Sequence, residues 1–278
     1  MKMLFMGRKP AAARALEWSV ANGFEVVGVV TDSHIANSPT AAVAAGLGLP
    51  LFSLEEVCRL IGDGLLDLDV AVSFVYWKKI KPPLLGHPRS GIVNFHPAPL
   101  PEYKGTAGYN LAILDALDAW SVTAHYIDRG IDTGRIIERF SFSIDSEEET
   151  ALTLEAKSQA FMLARYKKVM RRVLRFGLLP SESNEGGRYV SRAQMEAMKR
   201  VEEGDDVGRK VRAFWFPPYT GAYIEIGGVK YTLVNDAILQ SLVEDGQTYQ
   251  LPAASGRAGA GAGRRPALQP SASKAGTK

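Results

Sequence analysis

Short, almost continuously apolar runs alternate with helix-period segments through the first half of this 278-residue chain, and few folds accommodate that pattern. Lys2–Gly7 reads as a buried strand, Ala11–Ala21 as a helix and Glu25–Thr31 (EVVGVVT) as a second strand. Pro39–Leu47 and Leu54–Ile61 read as helices around a short strand at Pro50–Phe52. Leu68–Phe74 (LDVAVSF) and Gly91–His96 (GIVNFH) continue the strands, with a short turn of helix at Pro82–Gly86 between them. Gly108–Leu117 reads as helix, and Val122–Ile127 and Arg135–Ile144 as strands. Glu149–Phe176 is one long amphipathic helix, basic toward its C-terminal end and stopped at Gly177. Strands apolar on both faces need cover on both sides, which predicts an α/β, Rossmann-like domain with a mainly parallel sheet.

The texture changes after Pro180. Arg192–Val201 and Asp205–Phe214 read as two short helices, and Ala222–Ile226 (AYIEI) and Val229–Val234 (VKYTLV) alternate with period two around Gly227-Gly228. A two-residue Gly-Gly loop between such runs is a hairpin signal. The expected division is a catalytic domain at 1–178, a small C-terminal α+β subdomain with a β-hairpin at 179–251, and a tail at 252–278. The tail is Ala/Gly/Ser/Pro-rich and is expected to be disordered, because it cannot bury enough surface to offset its ordering entropy. It carries five of the 33 basic residues and none of the 30 acidic ones, so the rest of the chain is net −2. Bulk charge therefore gives no support to a nucleic-acid partner.

Cys58 is the sole cysteine, which excludes an intrachain disulfide and a cysteine-cluster metal site. No apolar run approaches the roughly 20 residues of a membrane span, and the apolar stretch of Met1–Gly7 is short for a signal peptide. A cytoplasmic protein without a membrane partner is expected. The first strand leads into Gly7-Arg8-Lys9-Pro10-Ala11, with one glycine where a dinucleotide fingerprint has three. Walker A and G-x-S-x-G sequences are absent as well. Gly7-Arg8 retains the option of an anion at the first helix N-terminus.

Chemistry concentrates in Asn94-Phe95-His96-Pro97-Ala98-Pro99-Leu100-Pro101-Glu102-Tyr103-Lys104-Gly105, at the C-terminal end of a predicted parallel strand. Alternation puts Asn94 and His96 on one face, where an amide donor and an imidazole can serve one reacting carbonyl. Alone, such a pair reads as two satisfied polar residues before it reads as a site. A second strand end, His125-Tyr126-Ile127-Asp128-Arg129-Gly130-Ile131-Asp132-Thr133-Gly134, sets Asp132 in a glycine-flanked loop. If Asp132 reaches His96 it can orient the ring and stabilise its protonated form. His34 and His87 read as loop residues and His125 as a core or sheet residue. Four histidines so spread give no metal site.

N-F-H-P-A-P-L-P-E-Y-K-G together with H-Y-I-D-R-G-I-D-T-G resembles the 10-formyltetrahydrofolate-dependent formyltransferases, over roughly residues 1–176. The resemblance implies 10-formyltetrahydrofolate as cofactor, with Asn94 polarising the formyl group, His96 shuttling the proton and Asp132 setting the state of His96. It implies a pterin pocket lined by Lys78, Lys79 and Ile80 through their backbone, by the loop Ala98, Pro99, Leu100 and Pro101, and by Asp128, Arg129, Gly130, Ile131 and Asp132. Ala98 and Pro99 stand where Ser and Leu are common in that family. The acceptor is expected near Gly7, Arg8, Tyr103, Lys104, Gly105 and Asn110. Val211–Tyr223 followed by a short hairpin looks like the sugar N-formyltransferases, which implies a dTDP- or UDP-linked amino sugar as acceptor and a homodimer. A methionyl-tRNA formyltransferase-like enzyme and a non-catalytic folate or nucleotide-sugar binding protein remain the alternatives.

Overall fold

A computed structural model describes residues 1–31 and 38–244. His34 and the tail at 252–278 lie outside the described residues. The centre is a seven-stranded sheet built from β1 (Lys2–Gly7), β2 (Glu25–Val30), β3 (Leu51–Phe52), β4 (Val70–Phe74), β5 (Ile92–His96), β7 (Ala119–Tyr126) and β8 (Ile136–Ser143). Their order is β3-β2-β1-β4-β5-β7-β8. The first five are parallel to their neighbours, whereas β7 runs antiparallel to β5 and β8 antiparallel to β7. A parallel return needs a crossover of a dozen or more residues, usually a helix. Only residues 127–135 join β7 to β8, so the chain doubles back instead.

Strand alternation divides the core. Met3, Phe5, Val72, Phe74, Val93 and Phe95 pack with α1 (Pro10–Ala21) and α5 (Ala151–Phe176). Leu4, Met6, Ala71 and Ile92 face the opposite side and pack with Val57 and Ile61 of α3 (Leu54–Gly62). Tyr166 of α5 anchors the first layer: its ring lies 4.9 Å from Phe95 and 5.7 Å from Phe74. Ser19 donates to the Ala15 carbonyl at 2.7 Å, so the buried Tyr166 hydroxyl donates to Ser19 at 2.5 Å. Asn94 and His96 project on the Ile92 side of β5, opposite Val93 and Phe95.

Most sequence-read elements form within a few residues of their expected ends, including α2 (Pro39–Gly46). Pro82–Gly86 forms turns rather than helix, and the helix expected at Gly108–Leu117 stops earlier, as α4 (Gly108–Leu114). After α5 the chain returns to the body. Glu182 bridges to Ile136, and β9 (Arg188–Val190) pairs in parallel with β6 (Tyr103–Gly105), a two-stranded sheet that the sequence did not signal. Beyond it come α6 (Arg192–Ala197), α7 (Val207–Phe214), the hairpin of β10 (Tyr223–Ile226) and β11 (Val229–Thr232), and α8 (Asp236–Glu244). Among the described residues no helix is long and apolar enough to cross a membrane.

Gly105 fixes the β6–β9 pair. Its φ of 93° disfavours any side chain, and a Cβ there would collide with the Val190 carbonyl. Gly105→Ala is expected to destabilise the protein by more than about 1 kcal/mol in urea unfolding. A variant as stable as the wild type would show that β6 does not need this close approach.

Candidate active site

In strand order the direction of chain progression reverses between β1 and β4, since β2 and β3 lie to one side and β5 to the other. Open α/β sheets hold ligands at such a point, outside the carboxyl ends of the strands. Gly7-Arg8 leaves β1 there, the segment Tyr76–Ile80 follows β4, and Asn94 and His96 end β5. A cleft at this edge is lined by Ser73, Tyr76, Trp77, Lys78, Lys79, Ile80, Asn94, His125, Ile127, Asp128, Gly130, Ile131, Asp132 and Thr133.

Register explains part of that list. Ser73, Asn94 and His125 stand directly opposite one another across β4, β5 and β7. Facing side chains on adjacent strands are within reach of each other, and Asn94 Nδ2 lies 2.9 Å from His125 Nε2. His125 Nδ1 lies 2.7 Å from the Tyr126 carbonyl, which can only accept, so Nδ1 carries the proton. In the neutral ring Nε2 is then bare and accepts from the Asn94 amide. Burial, the first cause, and the neighbouring His96 lower the His125 pKa from 6.5 to about 4, against smaller opposing effects of Asp132, the Tyr126 carbonyl and Asp128.

His96 is buried, and its Nε2 donates to the Tyr103 carbonyl at 2.9 Å. Its other nitrogen, Nδ1, faces Asp132 Oδ1 at 3.6 Å, and the same oxygen is 3.8 Å from His125 Nε2. Asp132 Oδ2 accepts from the Gly105 N–H at 2.9 Å. The loop presenting this carboxylate is tightly made. Asp132 has a φ of 54°, Asp128 accepts from the Gly130 N–H and the Thr133 hydroxyl, and a Cβ on Gly134 would collide with the Tyr126 carbonyl. Asn184 donates to the Asp132 and Gly134 carbonyls at 2.9 and 2.8 Å. One amide, one imidazole with an available nitrogen and one carboxylate thus converge, a set suited to acyl transfer: a donor for a developing oxyanion and a base with a counter-charge.

Several expected site residues stand elsewhere. Ala98–Pro101 do not line this cleft: the Ala98 carbonyl accepts from Thr123, the Leu100 N–H donates to Thr123 and the Leu100 carbonyl accepts from Arg139. Arg129 is exposed in the Asp128–Asp132 loop and is not among the lining residues. Lys104 is buried and gives its ammonium to the Asn184 and Gly186 carbonyls at 3.3 and 2.8 Å, so it does not reach toward an acceptor. Gly105 serves Asp132 through its N–H. Tyr103 serves His96 through its carbonyl while its hydroxyl donates to Asp115. Asn110 spends its amide on the Ala213 carbonyl at 2.6 Å, tying α4 to α7 instead of facing the cleft. Gly7 and Arg8 lie at the switch point as expected from their place after β1, with Arg8 in a neighbouring cleft. His125 is the residue that sequence reasoning missed: it has close site partners, and only the antiparallel register of β7 on β5 reveals them. Among the described residues no group of three or more His, Cys, Asp or Glu side chains is placed to hold a metal ion.

The sequence profile of the formyl transferase family matches residues 1–170. The chain belongs to that family. It is 28% identical over 267 residues to the methionyl-tRNA formyltransferase of Novosphingobium aromaticivorans, covering 89% of this chain and 85% of that one. Its fold is similar to that of an N-formyltransferase from Helicobacter canadensis, solved with folinic acid and dTDP-3-aminofucose: the TM-score is 0.69 at 23% identity, over 83% of this chain and 86% of that chain. A 4-N formyltransferase from Francisella tularensis matches with a TM-score of 0.71 at 18% identity, over 84% and 96%.

In this formyl transferase the lowered His125 pKa also sets a stability window. Between its ordinary 6.5 and about 4 the unfolded chain binds the proton and the folded protein does not. The contribution is therefore complete above 6.5 and is lost as pH falls toward 4. The urea midpoint of the wild type is expected to fall across this window more steeply than that of His125→Gln. Equal pH slopes would show that His125 is not held neutral in the folded state.

Proposed function

We propose that this formyl transferase moves a formyl group from 10-formyltetrahydrofolate to the amine of a dTDP- or UDP-linked amino sugar. The observation that carries the transfer chemistry is that Asn94 and Asp132 line one cleft while His96, which is not among the lining residues, faces Asp132 at 3.6 Å. The apolar walls from Ile80, Ile127 and Ile131, with polar groups of Asp128, Asp132 and Thr133 between them, suit a flat heteroaromatic with hydrogen-bonding edges. When bound, 10-formyltetrahydrofolate supplies an electrophilic formyl carbon. Asn94 directs an N–H at the oxygen on which negative charge grows. His96 takes the proton released by the acceptor nitrogen at Nδ1 and passes it to the leaving nitrogen of the folate as that nitrogen's bond to the formyl carbon breaks, while Asp132 balances the transient imidazolium.

The basic residues of the C-terminal subdomain favour a small acceptor over tRNA. Residues 179–251 hold eight basic and eleven acidic side chains. Seven of the eight, namely Arg188, Arg192, Lys199, Arg200, Arg209, Lys210 and Arg212, are in ion pairs with carboxylates. Phosphate-backbone binding needs cations whose charge is not already matched. A second cleft, between Arg8, Lys9, Pro10, Ser38 and Pro39 on one side and Phe216–Tyr219 on the other, combines cationic and aromatic groups. That pairing suits a nucleoside diphosphate, with the base against a ring and the phosphates beside Arg8 and Lys9, where Lys9 would exchange its present partner Glu155, at 3.2 Å, for phosphate. The Helicobacter canadensis enzyme with its dTDP-sugar gives the same reading independent support. The exposed Ile226, Val229 and Tyr231 of the hairpin, with Leu239 of α8, support a homodimer, which a one-chain mass by light scattering would contradict.

Purified protein incubated with 10-formyltetrahydrofolate is expected to add a formyl mass to at least one sugar in a panel of dTDP- and UDP-linked amino sugars, and to leave methionyl-tRNA unformylated. Efficient formylation of methionyl-tRNA with none of the sugars would overturn the acceptor assignment in favour of the activity named for the sequence relatives.

A further inference from the structure

Asp132 Oδ1 has an imidazole on either side of it, and the function assigned above uses only one of them. Groups from every neighbouring segment face His125. The Asn94 amide comes from β5, the Tyr126 carbonyl from its own strand, the His96 ring stands edge-on at 6.2 Å, and the carboxylates of Asp132 and Asp128 belong to the loop after β7. Of these, only the Tyr126 carbonyl and Asn94 are within hydrogen-bond distance of the ring. The ring is fully buried, so what it offers is one lone pair at Nε2, aimed at Asn94.

We propose that His125 is a positioning residue for formyl transfer: its bare Nε2 accepts one N–H of Asn94 and so fixes the orientation in which the amide meets the formyl oxygen. The inference rests on the oxyanion role of Asn94 proposed above. An asparagine amide can turn over, exchanging Oδ1 and Nδ2, with little change in shape. In one orientation Nδ2 donates to His125 and keeps its second N–H for the substrate. In the other, Oδ1 meets both the Nε2 lone pair and the charge developing on the formyl oxygen, and both contacts are repulsive. Protonation of His125 would reverse this preference by turning Nε2 into a donor. Burial opposes that protonation and so preserves the Nε2 lone pair that holds Asn94.

The test is a double-mutant cycle with a substitution that keeps the ring and removes the acceptor. His125→Phe is expected to lower kcat by about 100-fold, the low end of the loss of an oxyanion donor, with little change in either KM. His125→Gln, whose carbonyl can accept from Asn94, is expected to recover most of that loss. In an Asn94→Ala background His125→Phe is expected to cost almost nothing further, because its effect runs through the missing amide. A merely structural residue would instead cost the same in both backgrounds. Full additivity, or a His125→Phe enzyme with normal kcat, would overturn the proposal. Nitrogen-15 NMR of the wild-type imidazoles gives a readout that needs no turnover. A neutral His125 with its proton on Nδ1 at neutral pH is expected, and a proton on Nε2 would contradict the proposal even if all variants fail to fold. Wild-type protein inactive with every acceptor would count against formyl transfer and leave the NMR result to decide the amide orientation.

Discussion

The site depends on a carboxylate, Asp132, that is shared by three parts of the chain. Its Oδ2 is held by the backbone of β6 through Gly105, and its Oδ1 faces His96 on β5 and His125 on β7. Two imidazoles beside one negative charge leave open which of them takes a proton. Burial and the neighbouring His96 lower the His125 pKa, and the His125 Nε2 is already engaged by the Asn94 amide. Much of the surrounding architecture follows from the need to hold this carboxylate still. Asn184 ties down the carbonyls of Asp132 and Gly134, Gly134 lets the loop fold against β7, and β9 pins β6. The segment that follows the long α5 helix therefore supports the candidate site, because the strand carrying the Tyr103 carbonyl and the Gly105 N–H is paired with it.

Legibility in the sequence tracks how local each signal is. Asn94 and His96 could be placed together because alternation along one strand is a local rule, and strand ends are where open sheets bind ligands. Asp132 was legible through its glycine-flanked loop. His125 was not, because its meaning comes from an antiparallel register between strands that are separated by β6 and α4. Lys104 shows the converse error. A lysine beside a site reads as a substrate contact, yet this one is buried against the carbonyls of Asn184 and Gly186, about eighty residues away in sequence. The β6–β9 pair has only three residues on each side and no apolar alternation, so nothing local announces it.

Sequence relatives and fold neighbours name different acceptors, although both likenesses extend over more than four fifths of this chain. The profile match ends at residue 170 and so reports the formyl-transferring part. Beyond that part, Lys199, Arg200, Arg209, Lys210 and Arg212 pair with Glu196, Glu202, Glu147 and Asp205. Under the proposed sugar acceptor, the cleft combining Arg8, Lys9, Phe216 and Tyr219 is the candidate nucleotide subsite.

The central claim is that Asn94, His96 and Asp132 act as one unit in which the amide bears the oxyanion and the imidazole–carboxylate pair carries the proton. Single-turnover rates with saturating formyl donor test it most directly, comparing Asn94→Ala, His96→Asn, Asp132→Asn and the His96→Asn/Asp132→Asn double variant. The account predicts a loss of about 100-fold or more for each of the first two. It also predicts that adding the Asp132 substitution to His96→Asn costs little further, since the carboxylate acts through that ring. Near-normal rates in the single variants, or an Asp132 effect undiminished when His96 is gone, would contradict it.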